Sequence, residues 1–155
     1  MNKSDLQIDF KTVKLFREIA QIVAPPPILT VSQWADRYRK LSAESAAEPG
    51  QWNTDRAPYQ REILDAANDP ACEEVVIMSS AQVGKTELIL NTIGYYVDYD
   101  PAPILVVQPT LDMAQAFSKD RLAPMIRDTP ALTDKVKDSK SRDSGNTILH
   151  KKFPG

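Results

Sequence analysis

The segment from residue 75 to residue 99 constrains the fold more than any other part of the sequence. Residues 75–78 (Val-Val-Ile-Met) form a short β-branched run, which is typical of a strand buried on both faces. Ser-Ser-Ala-Gln-Val-Gly-Lys-Thr follows at residues 79–86, and an apolar helical pattern occupies residues 87–99. The pattern therefore predicts a buried strand, then a loop, then a helix.

The loop contains the residue types that a phosphate-binding loop needs. Backbone N–H groups at the start of a helix, together with the positive end of the helix dipole, attract anions. Gly84 allows close approach of the backbone, Lys85 can reach the β- and γ-phosphate oxygens, and the Thr86 hydroxyl can ligate Mg²⁺. We predict Lys85 and Thr86 as catalytic residues and Thr86 as the metal ligand. The predicted cofactor-binding residues of this loop are Ser80, Ala81, Gln82, Val83, Gly84, Lys85 and Thr86.

One position departs from the common motif G-x-x-x-x-G-K-[ST], because Ser79 replaces its first glycine. This serine predicts a first turn with negative φ. The alternative interpretation is that Gly84 ends an ordinary turn and Lys85 is a solvated surface residue. The strand before the loop and the helix after it favour the phosphate site.

Two more apolar runs indicate the fold class. Residues 104–107 (Ile-Leu-Val-Val) predict a second buried strand, and residues 147–150 predict the start of a third. A helix from Leu111 to about Arg127, which Pro124 should kink or end, separates them. We predict an α/β fold of the P-loop NTPase type, with three α/β/α layers and a parallel sheet, preceded by N-terminal helices.

Two features outside the loop suggest further contacts with ligands. Tyr59 and Gln60 begin a predicted helix, where the glutamine amide can pair with the edge of adenine and the ring can stack on its face. This predicts ATP as the nucleotide. The alternative is that Gln60 is a helix-surface residue and Tyr59 a core anchor. Thr110 follows the second predicted strand and can cap a helix that holds a nucleic-acid phosphate.

The first 27 residues are set apart from the rest of the chain. Ser4 and Gln7 have the spacing of a capping box, apolar residues then recur at helical spacing to Val23, and three prolines at residues 25–27 predict the end of the helix. We expect residues 1–27 to form a helix and a Pro-rich linker. This arm either docks a partner or packs on the core formed by residues 28–155.

Composition excludes several other kinds of chemistry. The 155 residues carry a net charge of −2 and are 42% hydrophobic, which is typical of one soluble globular domain. Cys72 is the only cysteine and His150 the only histidine, so disulfides, Cys/His zinc sites and a Cys-His catalytic pair lose support. No apolar run approaches the ~20 residues of a membrane-spanning helix, so we expect a cytoplasmic protein without a membrane partner. Residues 135–152 are rich in lysine, which fits either a contact with a polyanion or a solvated loop.

Four motifs occur in an order that resembles the large-subunit terminases of tailed phages, in particular their lambda-type branch. The motifs are Trp34-Ala35-Asp36, Pro58-Tyr59-Gln60-Arg61, residues 80–86 and Gln108-Pro109-Thr110. The resemblance implies an N-terminal part of the ATPase domain of a motor that packages double-stranded DNA in the bacterial host cytoplasm. It implies ATP and Mg²⁺ as cofactors, and as partners DNA, a small terminase subunit, a portal protein and further copies of the chain. By this resemblance, Lys85 and Thr86 are the phosphate- and magnesium-binding residues of the phosphate loop (Walker A motif), Gln60 binds the adenine, and Thr110 belongs to the segment that couples to DNA.

The sequence departs from this family in two ways. Ala81 and Gln82 stand where many terminases have an arginine, so Arg121, Arg127 or a neighbouring subunit would have to supply that charge. No apolar strand ending in Asp-Glu occurs, and a nuclease carboxylate cluster is missing, so we expect an incomplete ATPase domain at residues 28–155 whose hydrolytic and endonuclease residues lie downstream. The alternatives are a superfamily 2 helicase-like ATPase and a regulator that binds nucleotide or a partner without hydrolysis.

Overall fold

The computed structural model describes residues 10–23, 28–44, 48–136 and 146–154. The helices in these ranges are α1 (Phe10–Val23), α2 (Val31–Tyr38), α3 (Tyr59–Ala66), α4 (Lys85–Asp98), α5 (Leu111–Ala116), α6 (Ala123–Asp128) and α7 (Pro130–Thr133). A 3₁₀ turn covers Thr54–Arg56, a π-helical segment covers Phe117–Leu122, and the strands are β1 (Lys40–Leu41) and β2 (Gly50–Gln51). The predicted Ser4–Gln7 capping box, the prolines at 25–27 and residues 137–145 of the basic segment lie outside the described residues.

Helix α1 agrees with the N-terminal helix expected from the spacing of its apolar residues. Its side chains Val13, Phe16 and Ile19 are exposed to solvent. No helix in the described ranges has the length and apolar character needed to cross a membrane.

Helix α2 begins at a capping box and is tied to the end of α3. The Thr30 hydroxyl accepts a hydrogen bond from the Gln33 N–H, and the Gln33 side chain accepts one from the Thr30 N–H. The first N–H groups of the helix bond to residues that are distant in the sequence: Val31 N–H donates to the Asn68 side chain at 3.2 Å, and Ser32 N–H donates to the Asp65 carboxylate at 3.1 Å. These bonds hold α2 and α3 in a fixed relation.

Helix α4 is the centre of the hydrophobic core. The Trp34 ring of α2 is completely buried and lies directly over Gly94, where an added Cβ would come within 2.7 Å of the ring atom Cζ3. The Trp34 indole N–H donates to Asp98 at 2.7 Å, which fixes the ring at the far end of α4. The buried apolar side chains of α4 itself are Leu88, Leu90, Ile93, Tyr95 and Val97. Burial against α2 and α3 therefore sets the position of the helix that follows the loop.

The described residues do not show the predicted parallel sheet. The sheet that the structure describes is the antiparallel pair of β1 and β2, in which Lys40 lies opposite Gln51. Residues 75–78, 104–107 and 147–150 contain no strand, and no described backbone hydrogen bond joins the first two segments. Val76 and Leu105 are 79% and 87% exposed. A parallel ladder requires a neighbouring strand for its hydrogen bonds, and a local apolar pattern cannot supply one. The fold is α/β with mostly helices.

The helical region from residue 111 to residue 128 has the predicted length but is less regular than a single α-helix. Thr110 caps α5, and its hydroxyl accepts a hydrogen bond from Met113 N–H at 3.2 Å. The helix neither ends nor breaks at Pro124 but continues to Asp128. The widened π-helical turn lies just before this proline, with Ala123 N–H donating to the Ser118 carbonyl five residues back. A proline lacks the N–H for the usual bond and crowds the preceding turn, which accounts for the wider turn at this point.

Candidate nucleotide-binding site

The loop before α4 contains two residues with positive φ, a conformation that occurs in anion-binding nests. Gln82 has φ +60°, and Gly84 has φ +83° and ψ +18°, so two residues in the left-handed region alternate with residues outside it. Such alternation directs successive N–H groups toward one side of the backbone. Ser79 lies outside the left-handed region, as predicted. Gly84 is the N-cap of α4 and has no side chain to cover the first N–H groups of the helix.

Tyr59 and Gln60 lie directly beneath this loop. The Tyr59 hydroxyl and the Gln60 side-chain N–H both donate to the Val83 carbonyl, each at 3.1 Å. Gln60 is buried and Tyr59 is 58% exposed, which is the reverse of the alternative that placed the glutamine on the surface and the tyrosine in the core. The Gln60 Oε1 is buried without a hydrogen-bond partner. The start of α3 therefore supports the loop and leaves one buried acceptor unused.

Gly84 is required by its surroundings as well as by its φ. A Cβ at this position would lie 2.5 Å from Nε2 of Gln60, well inside contact distance. Any side chain here would displace the amide that holds the Val83 carbonyl. The glycine thus allows the loop to pack closely on α3.

Lys85 and Thr86 form the first turn of α4, where the sequence places them. The Lys85 ammonium donates to the carbonyl oxygens of Ser79 at 3.1 Å and Ser80 at 2.7 Å, so it folds back over the loop. Thr86 is half-buried. No group of three or more His, Cys, Asp or Glu side chains within the described ranges is placed to hold a metal ion.

Arg39 is a residue near the loop that the sequence analysis missed. Its side chain is 2% exposed, and Nη2 donates to the Glu87 carboxylate at 3.0 Å in the first turn of α4. Burial lowers the pKa of the Arg39 guanidinium, while the charge of Glu87 and its hydrogen bond oppose this effect. The two residues are separated by 48 positions in the sequence. No local pattern could have brought them together.

Thr110 and Arg127 form no described hydrogen bond or ion pair with residues 79–86. Thr110 is exposed at the start of α5, and no described hydrogen bond joins it to residues 79–86. Arg127, a candidate for the missing arginine of the loop, is instead paired with Asp128 at 2.7 Å and with Glu44 at 3.2 Å. These bonds raise the pKa of Arg127, and the hydrogen bond from Arg127 is the main cause that lowers the pKa of Asp128 to about 2.

An anion-binding loop that opens directly into a helix beginning Lys-Thr is typical of proteins that bind nucleotide phosphates. The family follows from comparison with known proteins. Residues 46–155, more than half of the chain, match the family described as "Phage terminase large subunit gpA, ATPase domain". The chain belongs to this family.

Two curated relatives agree with this family. The chain is 31% identical to "Terminase, large subunit" of Enterobacteria phage P21 over 135 residues, which cover 87% of the chain and 21% of that protein. It is 30% identical to "Terminase, large subunit" of Escherichia phage lambda over 153 residues, which cover 99% of the chain and 23% of that protein. The chain spans less than a quarter of the length of either relative. No solved structure matches it. The resemblance inferred from the four motifs is confirmed.

Proposed function

We propose that the chain is the ATP-binding part of a terminase large subunit that drives packaging of double-stranded DNA into a procapsid. The observation that carries the proposal is the loop at residues 79–84, which leads directly into the Lys-Thr start of α4. Its left-handed residues expose backbone N–H groups to an anion. In a chain of the gpA family, a nucleoside triphosphate is the ligand best suited to this loop.

The described residues fit ATP and Mg²⁺. The loop N–H groups and Lys85 would hold the phosphates, and the Thr86 hydroxyl would hold the metal ion. A buried acceptor without a partner calls for a donor, and the Gln60 Oε1 would receive the exocyclic amino group of adenine. Tyr59 presents an exposed ring beside it for stacking. ATP supplies a phosphoanhydride bond whose hydrolysis releases free energy, while these residues bind and orient it.

The finer fold is also part of the proposal. We propose that residues 75–78 and 104–107 are strands of a parallel sheet with helices on both faces in the complete protein, as in a three-layer P-loop NTPase. Val76, Met78 and Leu105 are more than three-quarters exposed in the described structure, and burial of such apolar surface is favourable. Residues 28–155 would form the N-terminal portion of this ATPase domain, and residues 1–27 an arm that docks a partner.

The proposed partners and setting follow from the family. They are double-stranded DNA, a small terminase subunit, a portal protein and further copies of the chain, acting in the bacterial host cytoplasm. Thr110, which caps α5, is the residue proposed to couple to DNA. We propose that residues outside these 155 complete ATP hydrolysis and DNA cleavage, since the chain covers so little of its relatives.

Replacement of Lys85 tests the proposal in the complete gene product. Lys85→Ala is expected to abolish binding of a fluorescent ATP analogue and ATP-dependent packaging, because the phosphates lose the ammonium group that would contact them. The circular dichroism spectrum should not change, since the Lys85 ammonium contacts carbonyl oxygens of an exposed loop. Lys119→Ala, at an exposed lysine of the π-helical segment, is the matched control and should bind and package normally.

The outcomes separate the alternatives. Packaging that survives Lys85→Ala would contradict the role of this residue. ATP binding without any hydrolysis by the complete gene product would favour a non-hydrolysing regulator. ATP-driven unwinding of DNA that needs neither a portal nor a small subunit would favour a helicase-like enzyme.

A further inference from the structure

Arg39 combines a charge with a fully buried side chain, and its backbone is fixed on both sides. Its N–H donates to the Ala35 carbonyl at 3.0 Å at the end of α2, and its carbonyl accepts from the Trp52 N–H at 3.0 Å just after β2. A Gln51 side-chain N–H donates to the same carbonyl. The guanidinium therefore projects from a rigid corner between α2 and the β1–β2 hairpin.

This guanidinium is directed at the start of α4. Its partner Glu87 is 20% exposed, follows Thr86 in the chain, and donates its own N–H to the Gly84 carbonyl at 2.9 Å. The negative charge of Asp128 also interacts with Arg39, but Asp128 already accepts two hydrogen bonds from Arg127. Glu87 is thus the carboxylate that depends on Arg39 for its counter-charge.

A carboxylate in the first turn of α4 has two opposite effects. It interacts favourably with the positive end of the helix dipole. It also stands within one helical turn, about 5.4 Å along the axis, of the N–H groups that would bind phosphate, and like charges at such distances repel. An unpaired Glu87 would therefore weaken binding of a triphosphate.

We infer that Arg39 is a positioning residue of the nucleotide site, which cancels the charge of Glu87 and fixes the direction of its carboxylate. The inference rests on the proposed function, because it takes the loop to be a site for ATP. Arg39 does not touch the ligand; it acts through Glu87. Its effect should grow with the number of phosphate charges on the nucleotide, because it is electrostatic.

The test measures binding of fluorescent adenosine triphosphate, diphosphate and monophosphate analogues to the complete gene product at low salt. Arg39→Met is expected to weaken triphosphate binding about tenfold, or about 1.4 kcal/mol, and diphosphate binding less. Monophosphate binding should change little. Arg39→Lys retains the charge and should stay near wild type, and the double variant Arg39→Met/Glu87→Gln, which removes both charges, should restore triphosphate binding.

A purely structural role predicts different results. It would weaken binding of the three nucleotides equally, and Glu87→Gln would weaken binding as much as Arg39→Met. In our inference Glu87→Gln binds triphosphate at least as tightly as wild type, because a cation remains beside the loop. Glu87→Gln also tests the inference if Arg39→Met fails to fold, because weaker triphosphate binding by Glu87→Gln than by wild type would overturn it.

Failure of the inference and failure of the proposed function look different. A wild-type protein that binds no ATP would refute the proposed function, and the inference with it. A wild-type protein that binds ATP no more tightly than Arg39→Met would refute the inference alone.

Discussion

Replacing Gly84 with alanine probes the close packing of the loop on α3. A left-handed backbone costs a non-glycine residue about 1–2 kcal/mol. The new Cβ would also lie 2.5 Å from Nε2 of Gln60, so the amide must move and give up its hydrogen bond to the Val83 carbonyl. A typical hydrogen bond contributes about 1 kcal/mol. Gly84→Ala should therefore lower the free energy of unfolding by about 2–3 kcal/mol and weaken ATP binding.

The assay is urea denaturation, followed by titration with a fluorescent ATP analogue. Gly50→Ala is the matched control, because Gly50 also has positive φ, at +130°, but an added Cβ there meets no atom within 4 Å. It reports the cost of placing a Cβ on a positive-φ backbone without any steric overlap. The double variant Gly84→Ala/Gln60→Ala removes the overlapping amide, so its cost should be smaller than the sum of the two single costs. Simple additivity of the two single costs would refute the reasoning.

Two further predictions concern the core and the response to acid. Gly94→Ala should lower the free energy of unfolding by about 1–3 kcal/mol, because its Cβ would overlap the Trp34 ring; a thermal melt measures this, and an unchanged melting temperature would contradict the packing. The hydrogen bond from Arg127 is the main cause that lowers the pKa of Asp128 from 3.8 to about 2. The contribution of this pair to the free energy of unfolding is therefore fully present above pH 3.8 and is lost as the pH falls from 3.8 toward 2. Arg127→Met should reduce the decrease in the free energy of unfolding between pH 3.8 and pH 2, measured by denaturation at each pH. An unchanged pH dependence would contradict the role of the Arg127–Asp128 pair.

Local features of the fold could be predicted from the sequence. The caps at Thr30 and Thr110 depend on bonds to residues only three positions away, so the sequence shows both partners together. Helix α4 was predicted for a similar reason, since its apolar spacing is repeated along its length. The negative φ expected at Ser79 followed from the residue type alone.

Features that depend on distant partners could not be predicted. Residues 75–78 have the composition of a strand, but composition does not provide the neighbour that a ladder requires. Arg39 and Glu87 have no shared motif, and only the packing of α2 on α4 brings them within 3.0 Å. Gln60 was predicted to contact adenine; the structure places its amide against the Val83 carbonyl of the loop, and the contact with adenine stays a prediction. Its burial, however, depends on how closely Gly84 approaches it.

In the described structure, the Lys85 ammonium is already bound to two carbonyl oxygens of the loop, so these oxygens compete with any incoming anion for it. Any anion that takes the ammonium must release it from Ser79 and Ser80, so the measured affinity is a difference between two sets of bonds. Substitutions that alter the backbone freedom of residues 79 and 80 can then tune affinity without changing any group that touches the anion. A serine in place of the usual first glycine narrows that freedom, which keeps the competing carbonyl oxygens in place.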